Sequence, residues 1–413
     1  MRLQARASVI LVVAIAQSGC MPQQTSGPVP ESSWVGTWGT APQLTEPDNM
    51  PPAPGLSGNT LRQVVHVSLG GDQLRLSLSN AFGDAPLTIR GAHLAVSAGE
   101  GTIESGTDRV VTFSGVESVT IPAGEAVTSD AFAFPLAPLS DVAITLHFGN
   151  VPDALTGHPG SRTTSYILSG GAVGVPRMTD AVETDHWYVI TGLDIVAPGA
   201  AAVVTIGNSI ADGRGSGTNL QNRWPDELAR RLQAEAPAGD VAVLNMGIGG
   251  NCVIRRCLGP AAVARFQRDV LDQSGARWLI ILEGVNDIGQ ARGAEGAARV
   301  ASGLIAAYQG MIDKAHVEGI QVYGATILPF GGSFYDTPER ETARQTVNQW
   351  IRTSGAFDAV IDFDAAMRDP TNPTQLIPAG DTGDQLHPNE EGYRMMAQAI
   401  DLGLFVGPQV DSE

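Results

Sequence analysis

Lysine is almost absent from this chain of 413 residues. Of its 25 basic residues, 24 are arginines and one, Lys314, is a lysine. That nearly excludes Schiff-base chemistry, a Ser–Lys dyad and a Walker-type phosphate loop, since each needs a placed lysine. Lys314 falls in a helical pattern and reads as a solvated surface residue. Charge is scarce as well, at 16% of residues against roughly 25% in a typical soluble domain. The 43% of hydrophobic residues supply enough apolar material to offset the entropy of ordering, which excludes a disordered chain. Acidic residues outnumber basic ones by 43 to 25, a net charge of −18. A field of that sign repels phosphate backbones and excludes general nucleic-acid binding. It also favours a neutral or weakly polar partner over an anionic one. What the chain has in plenty is glycine (49) and proline (26), the residues of tight turns between short elements.

The N-terminus reads as an export signal over residues 1–20. Arg2 and Arg6 precede a nine-residue apolar run at 8–16, too short for the about 20 residues that span a bilayer. The sequence Gln17-Ser18-Gly19-Cys20 resembles a bacterial lipoprotein box, which implies a lipid on Cys20 after cleavage, although Gln17 departs from the usual aliphatic residue. Residues 21–33, rich in Pro, Ser and Gln, are expected to form a flexible linker. With Cys20 lipidated or removed, Cys252 and Cys257 remain, five apart in a Gly-rich loop. In an oxidising compartment they either pair, for about 2 kcal/mol at best by loop entropy, or stay as free thiols. No His or further Cys stands near them at metal-ligand spacing.

The rest divides into two periodicities. Over 34–196 apolar residues alternate with polar ones, as at Val65, Val67 and Leu69, at Leu74, Leu76 and Leu78, and at Val142, Ile144 and Leu146. Short alternating strands separated by turns predict an all-β sandwich or jelly-roll domain. Over 197–413 continuous apolar runs (200–206, 241–246, 278–282, 320–328 and 359–363) alternate with helical patterns, the last over 390–404. Five such units predict an α/β domain with a five-stranded parallel sheet between helices, in which ligands bind beyond the carboxyl ends of the strands.

Four segments fall there: GNSIADG at 207–213, NMGIGGN at 245–251, EGVND at 283–287 and DQLHPN at 384–389. Any one alone reads as turn or cap chemistry. Together they hold the parts of an acyl-transfer site. Ser209, at a strand-to-helix turn, is a candidate nucleophile. His387 is a base with an ordinary pKa of about 6.5, and Asp384 could fix its tautomer. The backbone N–H groups of Ser209 and Gly250 and the amide of Asn286 could stabilise an oxyanion. No serine sits in G-x-S-x-G, the glycines fit no dinucleotide fingerprint, and the other six histidines form no metal-binding cluster. They read as structural. No cofactor or metal is expected.

The four segments resemble the conserved blocks of the SGNH/GDSL hydrolase superfamily. The resemblance extends upstream, through 34–38, 74–82 and Gly157-His158-Pro159-Gly160, to a secreted two-domain subgroup with an N-terminal β domain. It implies a three-layer, flavodoxin-like hydrolase domain, with Ser209 as nucleophile, Gly250 and Asn286 as oxyanion donors, His387 as base and Asp384 as its orienter. Asn208 stands where the family usually has Asp. The expected protein is an exported serine esterase, periplasmic, extracellular or lipid-anchored, acting on short-chain or acetyl esters, acetylated glycans among them. A lipase or thioesterase, or a non-catalytic glycan-binding lipoprotein with a degenerate hydrolase half, are the alternatives. The oligomeric state is not legible in the sequence.

Overall fold

The computed structural model describes residues 31–235 and 240–406. The expected signal segment, Cys20 and nearly all of the linker lie outside the described residues. The last three linker residues, Glu31–Ser33, form a 3₁₀ turn, and the Glu31 carboxylate accepts two hydrogen bonds from Arg75.

From Trp34 to Val196 the chain is antiparallel β-structure. The strands Trp34–Gly39, Ile190–Val196, Gly71–Ser79 and Phe132–Leu136 lie side by side in one sheet. Thr60–His66, Asp141–Phe148 and Leu87–Gly99 form the centre of another. The alternation read from the sequence is the alternation of burial. Leu74, Leu76 and Leu78 point into a shared core with Val142, Ile144 and Leu146, while the intervening residues of Gly71–Ser79 are partly exposed.

The second half is a three-layer α/β fold. Its parallel strands are Ala201–Gly207, Val241–Gly247, Ala276–Leu282, Gln321–Ala325 and Ala359–Ile361, in the spatial order second, first, third, fourth, fifth. That is the flavodoxin-like order, whose ligand crevice opens where the order reverses. Both faces of the first strand are buried. Ala202, Val204 and Ile206 share a core with Leu304 and Met311 of the helix Gly293–Val317, whereas Val203 packs with Trp224, Leu228 and Tyr393 on the other side.

Three expected elements have different limits. The apolar run 320–328 is strand only to Ala325, because Ile327 bonds sideways instead, its N–H to Asn348 Oδ1 at 2.7 Å and its carbonyl to Arg344 and Asn348. The final helix stops at Gln398, and a separate 3₁₀ turn, Leu402–Phe405, follows, capped by Asp401. The helix after the second strand is five residues, Ala262–Phe266, continued by a π-turn. On it Val263 is 37% exposed, while Phe266 and Val270 are buried. Lys314 is exposed on its helix, as its pattern indicated. No described helix is long and apolar enough to cross a membrane.

The β half closes one edge of the parallel sheet. An uncovered edge strand presents unpaired backbone groups to other chains, and Val241–Gly247 is such an edge. The strand Trp34–Gly39 lies so close to it that a Cβ on Gly36 would stand 2.8 Å from Leu244 Cδ1. Buried Ser68 completes the seam: its Oγ donates to Thr37 O at 2.7 Å and accepts the Val243 N–H at 3.0 Å. Ser68→Ala orphans that buried N–H and is expected to cost about 2 kcal/mol. Chemical denaturation reads the loss, and a variant of unchanged midpoint and slope would show that the seam is held elsewhere.

Candidate active site

The first parallel strand delivers the candidate nucleophile, Ser209. It ends at Gly207, and Asn208 caps the short helix Ser209–Asp212 by accepting the Ile210 N–H at 3.0 Å. There is no room for a longer turn, since a Cβ on Gly207 would lie 2.4 Å from Ala211 Cβ, and one on Gly247 would lie 2.4 Å from the Asp212 nitrogen. The helix is thus wedged between two strand ends, and Ser209, 8% exposed, faces a cleft of about 600 Å³.

His387 arrives from farther along the chain than the sequence pattern suggested. The fifth strand ends at Ile361, a short helix (Phe363–Met367) follows, and Asp384 and His387 stand on the loop before Glu390–Gln398. They are therefore not at a strand end, yet the loop brings them to the same cleft. His387 Nε2 lies 2.9 Å from Ser209 Oγ, and His387 Nδ1 lies 2.7 Å from Asp384 Oδ2. The other Asp384 oxygen accepts the backbone N–H groups of Leu386 and His387 and the Thr382 hydroxyl.

The electrostatics follow from these contacts. Partial burial works to raise the Asp384 pKa, but the His387 side-chain bond and the backbone N–H groups outweigh it and hold the carboxyl at about 2. Asp384 is thus ionised at any pH where the enzyme would work. Burial pushes the His387 pKa below its ordinary 6.5; Asp384 opposes this, and the positive charges of Arg214 and Arg162 add to it.

The expected oxyanion donors line the same cleft. Gly250 has φ +69° and lines the cleft with Asn286 and Ser209. Its lack of a Cβ serves the loop and not the substrate, because a Cβ there would meet Leu258 Cδ1 at 2.7 Å. Asn286 is held at both ends: Nδ2 donates to Asn251 O at 2.7 Å, and Oδ1 accepts the Tyr335 hydroxyl at 3.0 Å. One amide hydrogen remains for a ligand. Cys252 and Cys257 are joined as a disulfide, and Asp287 fastens the bridged loop by accepting the N–H groups of Val253 and Ile254.

The sequence assigns no role to several residues of the site, although two of them stand in the quoted segments. Tyr335 is one. Glu283 is another: it is fully buried, and burial above all lifts its pKa to about 8. Its Oε2 accepts from Asn208 Nδ2 at 3.3 Å. This contact gives Asn208 a physical reason, since an aspartate there would put a second carboxylate against Glu283. His158 is the third. Its Nδ1 lies 2.9 Å from Ala41 O and its Nε2 2.9 Å from Asp212 Oδ1, so the β half holds the far end of the nucleophile's helix.

Residues 205–395 match the family model described as the GDSL-like Lipase/Acylhydrolase family. This stretch is a GDSL-like lipase/acylhydrolase domain. The chain is an ester-hydrolysing enzyme. Among solved structures it is similar to an acetylxylan esterase from Geobacillus stearothermophilus, at 21% identity and TM-score 0.37 over 48% of this chain and 93% of that one. It is also similar to a GDSL-like lipase from Bacteroides thetaiotaomicron VPI-5482, at 22% identity and TM-score 0.34 over 48% and 84% of the two chains. No curated protein sequence matches the chain. The roles of individual residues rest on the geometry above.

Two measurements follow. Only neutral His387 can accept a proton, so kcat/KM should rise with pH through the imidazole pKa, with a midpoint below 6.5 and a plateau above it. A midpoint above 7 would assign the base elsewhere. Asn208→Asp places two carboxyls about 3 Å apart that cannot both ionise, so the variant should lose about 2 kcal/mol of stability at pH 8 and less at pH 5. Adding Glu283→Gln should restore it; a double variant no more stable than Asn208→Asp would refute the coupling.

Proposed function

We propose that the GDSL domain of this protein is an exported serine esterase that removes short acyl groups, acetyl above all, from polar alcohols such as glycans. The observation that carries the reading is the unbroken relay from Ser209 Oγ through His387 to Asp384, with bonds of 2.9 and 2.7 Å, open to the cleft.

In this reading Ser209 Oγ attacks the ester carbonyl carbon while its proton passes to His387 Nε2. The carbonyl oxygen becomes an oxyanion and takes hydrogen bonds from Ser209 N–H, Gly250 N–H and the free amide hydrogen of Asn286, each worth about 10²–10³ in rate. Collapse of the tetrahedral centre breaks the bond to the alcohol, which leaves with the proton from His387. Water then attacks the acyl-enzyme, giving its proton to the imidazole, and the second collapse frees the acid and restores Ser209. Ionised Asp384 keeps Nδ1 protonated and stabilises the imidazolium throughout.

The choice of acyl and alcohol is supported by the walls. Most residues lining the cleft are polar, charged or glycine, with Leu258, Phe334 and Leu386 as its large apolar side chains, which suits acetyl better than a long chain. Phe334 is 72% exposed beside Tyr335, their ring centroids 4.4 Å apart, and offers a flat face of the kind on which a sugar ring stacks. The acetylxylan esterase likeness is consistent with this choice without bearing on it. Export is part of the same proposal and rests on the N-terminal sequence pattern, with the Cys252–Cys257 bond in keeping with an oxidising compartment.

The test combines a fluorophosphonate probe with 4-nitrophenyl esters of increasing acyl length. The wild type should be labelled and should turn over the acetate, Ser209→Ala should do neither, and kcat/KM should fall at least tenfold from acetate to octanoate. Absence of labelling in the wild type would remove the serine mechanism, and a preference for octanoate would replace the short-acyl reading with a lipase.

A further inference from the structure

Acyl transfer leaves two arginines of the cleft without a task. Arg162 follows the Gly157–Gly160 turn of the β half, and Arg214 follows the helix of the nucleophile. Both line the cleft with Ser209 and His387. Among the described residues neither guanidinium has a hydrogen-bond acceptor or a carboxylate partner, and Arg162 Nε is buried with no partner at all. Scarcity of acids is not the reason. Acidic residues outnumber basic ones by 43 to 25, and buried arginines elsewhere find acceptors: Arg265 pairs with Asp269 and Arg344 with Asp364, while Arg62 donates to Thr145 Oγ1 and to backbone carbonyls. The carboxylates of the cleft are engaged otherwise: Glu46 by the amides of Gln43 and Asn49, Asp212 by His158, while Asp48 is solvent-exposed.

The backbone at Arg162 is held in place at a cost. Its φ is +53°, in the left-handed region that a residue with a Cβ rarely occupies. The flanking residues impose it. Ser161 Oγ donates to the carbonyls of Thr163 and Asp185, and the Arg162 carbonyl accepts the Asn219 N–H at 2.9 Å. Strain that the surroundings over-determine collects at ligand-binding positions. The placement also has a side. The leaving alcohol takes its proton from His387, and both arginines are near enough to that imidazole to depress its pKa. They therefore flank the alcohol, and the oxyanion donors Gly250 and Asn286 flank the carbonyl oxygen.

We propose that Arg162 and Arg214 form a subsite for an anionic group, a carboxylate or a sulfate, carried by the alcohol portion of the ester. The two Nη atoms of Arg162, which lines the cleft, supply the planar fork that such a group takes in two parallel hydrogen bonds, and exposed Arg214 adds a second positive charge. The inference rests on the esterase reading above and narrows its substrate to an ester of an acidic sugar or a comparable acidic alcohol. It also reverses the preference that net charge alone implied. At physiological ionic strength charge is screened over about 8 Å, so the two adjacent cations outweigh the distant excess of carboxylates.

The test uses the full chain and three monoacetylated methyl glycosides, acetylated at the same position: of glucuronic acid, of glucose 6-sulfate and of glucose. The wild type should hydrolyse at least one anionic ester with kcat/KM at least tenfold above that of the glucose ester, and whichever is preferred identifies the group. In Arg162→Gln, and separately in Arg214→Gln, the loss on that anionic ester should exceed the loss on the glucose ester at least tenfold, mainly through KM. A wild type that favours the glucose ester, or variants that lose equally on all three, would overturn the subsite. Turnover of 4-nitrophenyl acetate keeps the two readings apart: if it persists while the anionic preference is absent, the subsite alone falls, and if it is absent too, the esterase reading falls with it.

Discussion

The site is assembled around one buried guanidinium. Arg265, 1% exposed, donates to Gly207 O at the end of the first parallel strand and to Met246 O near the end of the second. It also donates to Asn251 Oδ1 in the glycine loop and to Asp269 in the turn of its own helix. Gly207 leads into the nucleophile and Met246 into the oxyanion loop, so one planar group sets the spacing of both. Burying a charge is costly unless its donors all find acceptors, and here a fork with five N–H groups finds them in several directions at once. A lysine ammonium on a flexible stem has no such fixed fork. At this position the nearly lysine-free composition has a structural use.

Much of the architecture was legible because it depends on periodicity. Alternation at Leu74, Leu76 and Leu78, and the unbroken apolar run of the first parallel strand, each report directly which faces are buried. The candidate catalytic side chains stood out for a related reason, since their segments carry polar and glycine residues between such runs. What escaped the sequence are contacts between distant residues. Glu283 looks like an ordinary turn acid until it is placed beside Asn208, 75 positions away. His158 looks like any structural histidine until its ring reaches Asp212, 54 positions on. The misjudged limits have the same origin. Thr326 to Phe330 are buried like a strand, but the backbone bonds of Thr326 and Ile327 go to the fifth strand and to side chains of the next helix, which no local pattern records.

The charge distribution separates two scales that a single net value merges. The whole chain is strongly acidic, which bears on solubility and on what it repels at a distance. Inside the cleft the local balance differs: Asp384 is committed to His387, Glu46 to two amides, and Arg162 and Arg214 face the space where an alcohol would leave. Because the same two cations also bear on the imidazole, charge in the bound alcohol and the basicity of His387 are not independent properties.

The bond between His158 and Asp212 has a bearing on how such a protein can be recombined. Both partners are 3% exposed at their side chains, and Gly160 passes so close to the Asp212 carboxylate that any side chain in its place would overlap it. One half of this contact belongs to the β region and the other to the short helix that begins with the nucleophile. Grafting this hydrolase half onto another partner, or trimming the β region to obtain a minimal enzyme, would leave a buried carboxylate unmatched at the last residue of that helix. The two halves are therefore interdependent at this contact, and a chimera that spares the turn 157–160 has a better prospect than one that respects the apparent boundary near residue 197.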